Sequence, residues 1–266
     1  FATAVYSIEA SAGTGGTITP AGTTTVTHGT NQSYSITPST GYMISDVRVD
    51  NSSVGPVSTY AFNNVISNHS VTAYFAPVTF DITAGSGTGG SVSPSGVTSV
   101  TYGSSQVFTI VPSQGYSISD VIVDNVSRGP LGSYTFSNVT SNHTISASFT
   151  ANRYTISTGA GQGGTVTPSG TTTVNYGSQV TINITPATGY RISEVMVDNI
   201  PSGALTTYTF ANISSNHTLA ASFVPITFTI NAVAGNGGSI SSSGTTTVNF
   251  GSAATYSFMP QDGYRI

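Results

Sequence analysis

The sequence predicts an all-β protein, a tandem array of 74-residue β-sandwich-like repeats forming an elongated rod. Gly-Tyr pairs fall at Gly41-Tyr42, Gly115-Tyr116, Gly189-Tyr190 and Gly263-Tyr264, 74 residues apart each time without an insertion or deletion. The same step carries His69 to His143 to His217, and Asp50 to Asp124 to Asp198. A fixed period of this size marks a repeat architecture. Within each period, short β-branched runs alternate with glycine turns, and no apolar pattern follows the helical period of about 3.6 residues.

The first repeat shows the elements in order. Tyr6 to Ala10 alternates apolar and polar side chains, as a half-buried strand does. A glycine loop, Gly13-Thr14-Gly15-Gly16, turns the chain into Thr17 to Pro20 and then Thr23 to Thr27. Ser33 to Thr37 follows and is stopped by Pro38; after the Ser39-Thr40-Gly41 turn come Tyr42 to Asp50, Ser58 to Phe62, and His69 to Phe75. That makes seven or eight strands per repeat and a two-sheet sandwich or small barrel. The joints Ala76-Pro77, Ala151-Asn152 and Pro225-Ile226 contain no flexible linker, so stiff connections are expected. The expected domains are residues 1–76, 77–150 and 151–224, then a partial repeat at 225–266. Phe1 falls where Phe75, Phe149 and Phe223 close the repeats. The 266 residues are therefore expected to be a window on a longer array.

The string Ile36-Thr37-Pro38-x-x-Gly41-Tyr42-x-Ile44-x-x-Val47-x-Val49-Asp50 is followed by Tyr60-x-Phe62 and by Asn68-His69-Ser70-Val71-x-Ala73-x-Phe75. The later repeats carry Tyr134-Thr135-Phe136-Ser137-Asn138-Val139 and Asn142-His143-Thr144-Ile145-Ser146-Ala147-Ser148-Phe149. Together these resemble the divergent InlB B-repeat-like modules of large bacterial surface and secreted proteins, over the whole chain. The resemblance implies an extracellular bacterial setting and a structural, adhesive or spacer role. It supplies no catalytic residues.

Composition narrows the function classes. Charged residues are 5% of the chain, against roughly 25% in an ordinary domain. The net charge is −4, with nine acids, five arginines and no lysine, so there is no basic patch for nucleic acid. No apolar run approaches the roughly 18 residues of a spanning helix. Cysteine is absent, which excludes disulfides and thiolate chemistry. Without lysine, Schiff-base chemistry and lysine-asparagine crosslinks are excluded as well. A 74-residue unit is near the size at which one core is marginal, so neighbour packing or a bound ion is expected to add stability.

Gly85-Ser86-Gly87-Thr88-Gly89-Gly90 and Gly159-Ala160-Gly161-Gln162-Gly163-Gly164 have dinucleotide-loop spacing, but a strand follows where a phosphate loop needs a helix. They are expected to be hairpin turns. His69, His143 and His217 start a strand without the strained elbow of a nucleophilic serine, and are expected to cap a turn or pack on a neighbour. Six of the nine acids sit on the repeat lattice: Asp46, Asp120 and Glu194 at one position, Asp50, Asp124 and Asp198 at the other. On one strand Asp46 and Asp50 would share a face about 13 Å apart, too far for one ion to bridge. Each could join a separate oxygen cage with Asn51, Asn125 or Asn199, and hard oxygen ligands suit calcium. The alternative is an Asx turn after Val49, Val123 and Val197, with Asp46 paired to Arg48; Ile122 and Met196 replace that arginine in later repeats. Tyr42, Tyr116, Tyr190 and Tyr264 are expected to cover the core with the hydroxyl bonded to backbone, rather than to stack on sugars.

The expected function is a non-enzymatic extracellular filament or stalk, with calcium at its repeats or joints. The alternative is a cell-surface adhesin whose repeats bind glycans. The partners expected are neighbouring copies of the repeat or chain, and surface glycans. Nine Asn-x-Ser/Thr triplets, Asn68, Asn142 and Asn216 among them, are glycosylation acceptors in a competent host.

Overall fold

In the computed structural model residues 2–266 are described. Phe1, read above as the end of a preceding repeat, lies outside them. The chain forms two compact units, Phe1–Thr150 and Ala151–Ile266. The first repeat contains eight strands: β1 (Val5–Ala12), β2 (Gly16–Thr19), β3 (Gly22–Thr27), β4 (Gln32–Pro38), β5 (Tyr42–Val49), β6 (Ser52–Gly55), β7 (Thr59–Phe62) and β8 (His69–Pro77). The second repeat runs through the same eight from Thr79–Ser86 to His143–Ala151, and the third from Arg153–Ala160 to His217–Pro225.

Each repeat has a five-stranded sheet in the order β3-β1-β8-β5-β6 and a three-stranded sheet in the order β2-β4-β7. Only β1 and β8 run parallel, with Ile8 opposite His69 and Ala10 opposite Val71; the other pairs are antiparallel. The alternation seen in the sequence is the burial pattern. Ile8, Ala10, Val26, Val47 and Val71 from the large sheet meet Ile18, Tyr34, Ile36 and Phe62 from the small one in a single core. The second and third repeats build equivalent cores around Ile82, Phe108 and Ile145, and around Ile156, Ile182 and Leu219.

Three expectations needed correction. The glycine loops are not hairpin turns, because the strands each one joins, β1 and β2 and their counterparts, belong to different sheets. The run from Tyr42 to Asp50 is not one regular strand: a bulge interrupts pairing between Ile44 and Asp46, and Asp50 leaves the strand at φ 47°. The short β6 was not expected, because Ser52-Ser53-Val54-Gly55 buries no apolar face and carries no alternation.

The glycine loop has a packing cause. A Cβ on Gly15, at φ +100°, would lie 2.2 Å from the Tyr42 ring, and one on Gly16 would lie 2.3 Å from the Phe75 ring. Two aromatic rings close over bare backbone that any side chain would push away. The later loops repeat it, Gly89 under Tyr116 and Gly90 under Phe149, then Gly163 under Tyr190 and Gly164 under Phe223.

Adjacent repeats meet without a linker inside each unit. The Val78 amide donates to the Gly41 carbonyl (2.8 Å), the Tyr102 amide donates to Val78 (2.9 Å), and the Tyr102 ring rests on Gly41. In the second unit Ile226 donates to Gly189, Phe250 donates to Ile226, and the Phe250 ring rests on Gly189.

Candidate functional site

The lattice acids and histidines come together at one corner of each repeat. Asp50 and Asn51 form the two-residue turn between β5 and β6, with Val49 paired to Ser52. Both have positive φ, 47° and 68°, the conformation of a type I′ hairpin, which Asp and Asn tolerate better than other non-glycine residues. Asp124-Asn125 and Asp198-Asn199 repeat these angles to within a few degrees.

The carboxylate of Asp50 ties this turn to β8. Its Oδ1 accepts the Ser70 amide (2.8 Å) and its Oδ2 accepts His69 Nδ1 (2.7 Å). The Asp50 amide in turn donates to the Ser70 carbonyl (3.0 Å). With Nδ1–H on the aspartate, His69 Nε2 is left to accept from Ser67 Oγ at 3.3 Å. The imidazole lies on the Phe62 ring with centroids 4.9 Å apart. The second and third repeats have the same arrangement: Asp124 with His143 and the Thr144 amide, and Asp198 with His217 and the Thr218 amide, each imidazole lying on Phe136 or Phe210. Burial pulls these three carboxyls upward, but the bonds from the histidine and the strand amide outweigh it and hold each below the ordinary value of 3.8.

The other acid position does a different job. Asp46 accepts from Ser53 Oγ (2.6 Å) and from Arg48 Nε (3.1 Å), and both bonds, the serine's first, lower its pKa. The Arg48 guanidinium also sits over the Tyr74 ring. Asp120 has no arginine and takes Ser127 Oγ and the Gly129 amide; Glu194 takes the Gly203 amide. The shared role is to anchor the segment after the hairpin. Among the described residues, arginine pairing at this position belongs to the first repeat, as Ile122 and Met196 imply.

The nine residues proposed as ligands are therefore distributed over three hairpins. Asp46, Asp120 and Glu194 face the returning strand, while Asp50, Asp124 and Asp198 face the histidine. Among the described residues no three His, Asp or Glu side chains converge as a metal cluster. A calcium cage here would need Asn51, Asn125 or Asn199 and backbone oxygens around one carboxylate that already accepts two protein donors.

Some functional contacts were not foreseen. Asn68, Asn142 and Asn216 accept the amides of Ser7, Asp81 and Thr155 through Oδ1 (2.9 Å each), which ties the start of β8 and its counterparts to the first strand of each repeat. The sequence marked these asparagines only as glycosylation triplets; their place beside the recurring histidine was the available signal. The tyrosine expectation changes too. The Tyr42 ring covers the backbone of the Gly15 loop.

The description "divergent InlB B-repeat domain" matches residues 6–79, 80–153 and 154–227. No curated protein matches. Among solved structures, the chain is similar to the Bacillus anthracis TIE protein at 10% identity, over 83% of this chain and 51% of that one, with a TM-score of 0.41. It spans about half the length of that relative. The titin I-band fragment I67–I69 aligns at 6% identity over 83% of this chain and 96% of that one (TM-score 0.16), and the four N-terminal Ig domains of a Dscam1 isoform at 7% over 84% and 72% (TM-score 0.14).

Proposed function

Since the chain belongs to the divergent InlB B-repeat family, we propose that it is a structural extracellular stalk or filament segment of a bacterial surface protein, and that it is not an enzyme. The observation that carries this is the joint. Consecutive repeats are bonded backbone to backbone, Val78 to Gly41 and Ile226 to Gly189, with a ring laid over the glycine. In an array of this kind each repeat contacts only its neighbours, so length follows repeat number and stiffness follows the joint. Small-angle scattering of the chain tests it. A rod with a maximum dimension proportional to repeat number is expected, and a profile of freely jointed beads would overturn it. Replacing Gly41 by a bulky residue should loosen only the first joint.

The Ser67–His69–Asp50 chain has the connectivity of a hydrolytic triad. Its parts serve the fold instead: the second Asp50 oxygen holds the Ser70 amide, the ring is stacked on Phe62, and the serine lies two residues before the histidine. Reproducible ester turnover abolished by changing His69, His143 and His217 together to alanine would reverse this assignment.

An adhesin is the second reading, favoured by a polar cleft of about 430 Å³ in the second repeat, lined by Asp81, Asp124, Asn125, Asn142 and His143. Glycan-array binding lost on Asp81→Ala would support it. Calcium at the lattice acids is tested by melting the chain in excess calcium and in excess chelator. A lower melting temperature in chelator would support metal at Asp50, Asp124 and Asp198; identical curves would leave these acids as turn latches.

A further inference from the structure

The structure carries one row of polar backbone groups that the fold leaves open at every repeat. Strand β3 is the outer strand of the five-stranded sheet, and its counterparts Gly96–Thr101, Gly170–Asn175 and Gly244–Asn249 are outer strands of theirs. The ladder of an antiparallel pair bonds alternate residues. His28 donates to Ala4 (2.9 Å), so the bonded partners are Tyr6 with Val26, Ile8 with Thr24, and Ala10 with Gly22. Thr23 and Thr25 therefore aim N–H and C=O away from β1. Thr27 faces outward too, but its carbonyl accepts the Thr30 amide. The same phase holds later: Tyr102 donates to Val78, Tyr176 to Asn152 and Phe250 to Ile226. This leaves Val97 and Ser99, Thr171 and Thr173, and Thr245 and Thr247 as the outward-facing residues.

Outer strands are usually blunted by lysine, proline, a bulge or shortness. These four are six residues long and contain no charged residue, proline or register shift. Among the described residues the other outer strands of the complete repeats are short: β6 has four residues and its counterparts Val126–Ser127 and Ile200–Pro201 two, while β2 and β7 have four each; outside the complete repeats, Thr227–Ala232, paired only with Gly244–Asn249, is a further six-residue outer strand.

We infer that these outer strands pair with the same strand of a second copy of this chain, antiparallel and about a two-fold axis. The strand is self-complementary. With the axis at Thr24, Thr23 of one copy meets Thr25 of the other, and four N–H to C=O bonds close between the outward groups. The Thr23 and Thr25 side chains fall opposite one another, an arrangement that itself favours sheet pairing. A symmetric contact between identical patches is the commonest route to a homodimer. One such strand is a small contact, and the chain presents four of them. The inference deepens the stalk reading by naming a partner for it, lateral association of identical stalks.

The test uses the whole chain. Thr25→Pro, Val97→Pro, Thr173→Pro and Thr247→Pro combined remove outward donors without touching the internal ladder. A second set places lysine at the same four positions, where the side chains are exposed. Sedimentation velocity across a concentration series should show the unaltered chain associating, with both sets at least about tenfold weaker and unchanged in circular dichroism. Amide exchange at Thr25 should slow as the unaltered chain is concentrated. The proposal is overturned if the unaltered chain stays monomeric at millimolar concentration, or if folded variants associate as it does. Monomeric rods would sink the pairing and leave the stalk standing, whereas freely jointed scattering would sink the stalk whatever the association.

Discussion

Residues 170–175 and 244–249 are the same hexapeptide, Gly-Thr-Thr-Thr-Val-Asn, paired in the same register to the first strand of its repeat, yet they belong to regions of very different burial. In the third repeat Ile156 is fully buried; its counterpart in the last forty residues, Ile230, is 37% exposed. Ile36, 2% exposed in the first repeat, corresponds to Phe258, 61% exposed. Residues 227–266 form two separate two-stranded antiparallel sheets, Thr227–Ala232 with Gly244–Asn249 and Gly238–Ile240 with Phe258–Pro260. Among the described residues they have no counterparts of β5, β6, β7 and β8. The alternating pattern and the turn residues are sufficient to form these strand pairs. Burial comes only when β8 pairs in parallel with β1 and the small sheet gains its third strand.

The largest effect expected from this contrast is at that shared position. Ile156→Ala should cost about 2–5 kcal/mol, the range for a large-to-small change in a filled core. Ile230→Ala should cost less than about 1 kcal/mol, because the site is already open to water. Urea denaturation with amide exchange resolved by repeat would measure both. Equal losses would mean that the last forty residues hold a core as tight as that of the complete repeats.

The glycine loop gives the next effect. A Cβ at Gly163 or at Gly237 would lie 2.2 Å from a tyrosine ring, Tyr190 or Tyr264, and the two glycines have φ of +94° and +90°. Alanine at either meets the same backbone penalty, of order 1–3 kcal/mol. Only Tyr190 is held by a packed repeat, while Tyr264 is 61% exposed and free to swing aside. Gly163→Ala should therefore destabilise more than Gly237→Ala. Comparison with Tyr190→Ala in the same background would isolate the ring's share.

These pairs show which features of the fold were legible in the sequence. The 74-residue period, the strand positions and the Asp-Asn turn are local properties, written in alternation and turn chemistry. The parallel pairing of β1 with β8, which spans 61 residues between Ile8 and His69, leaves no local mark. The Tyr42 ring on Gly15 is likewise a contact between residues far apart in the chain. The candidate site was half legible for the same reason. Asp50 and His69 were each singled out by recurrence, but their bond crosses from a hairpin tip to another strand, so spacing alone left each with several readings.

A smaller effect separates the complete repeats from one another. The Tyr34 hydroxyl is buried in the first core without a hydrogen-bond partner; Phe108 and Ile182 occupy the same place later, fully buried. An unsatisfied buried hydroxyl costs on the order of 1 kcal/mol or more, so Tyr34→Phe should raise the stability of the first repeat by roughly that amount. Phe108→Tyr should lower that of the second. A loss on Tyr34→Phe would show that the hydroxyl has a partner, such as an ordered water.

The smallest expected effect concerns the aspartate latch, which the complete repeats have and residues 227–266 lack among the described residues. The Asp50, Asp124 and Asp198 carboxyls are held below 3.8 in the folded chain. Their contribution is therefore present above the ordinary carboxylate value and is lost as pH falls from about 4 through the lower folded values. The Asp198 side chain is 41% exposed, and solvent-screened pairs of this kind contribute about 0.2–1 kcal/mol each. Asp50→Asn, Asp124→Asn and Asp198→Asn together should lower the melting temperature of the complete repeats at neutral pH and flatten its fall below pH 4. Amide exchange in residues 227–266 should show no matching step. If the triple variant keeps the full acid dependence, the limb arises elsewhere, with Asp46 and its Ser53 and Arg48 partners the next group to remove, because that carboxyl is also lowered.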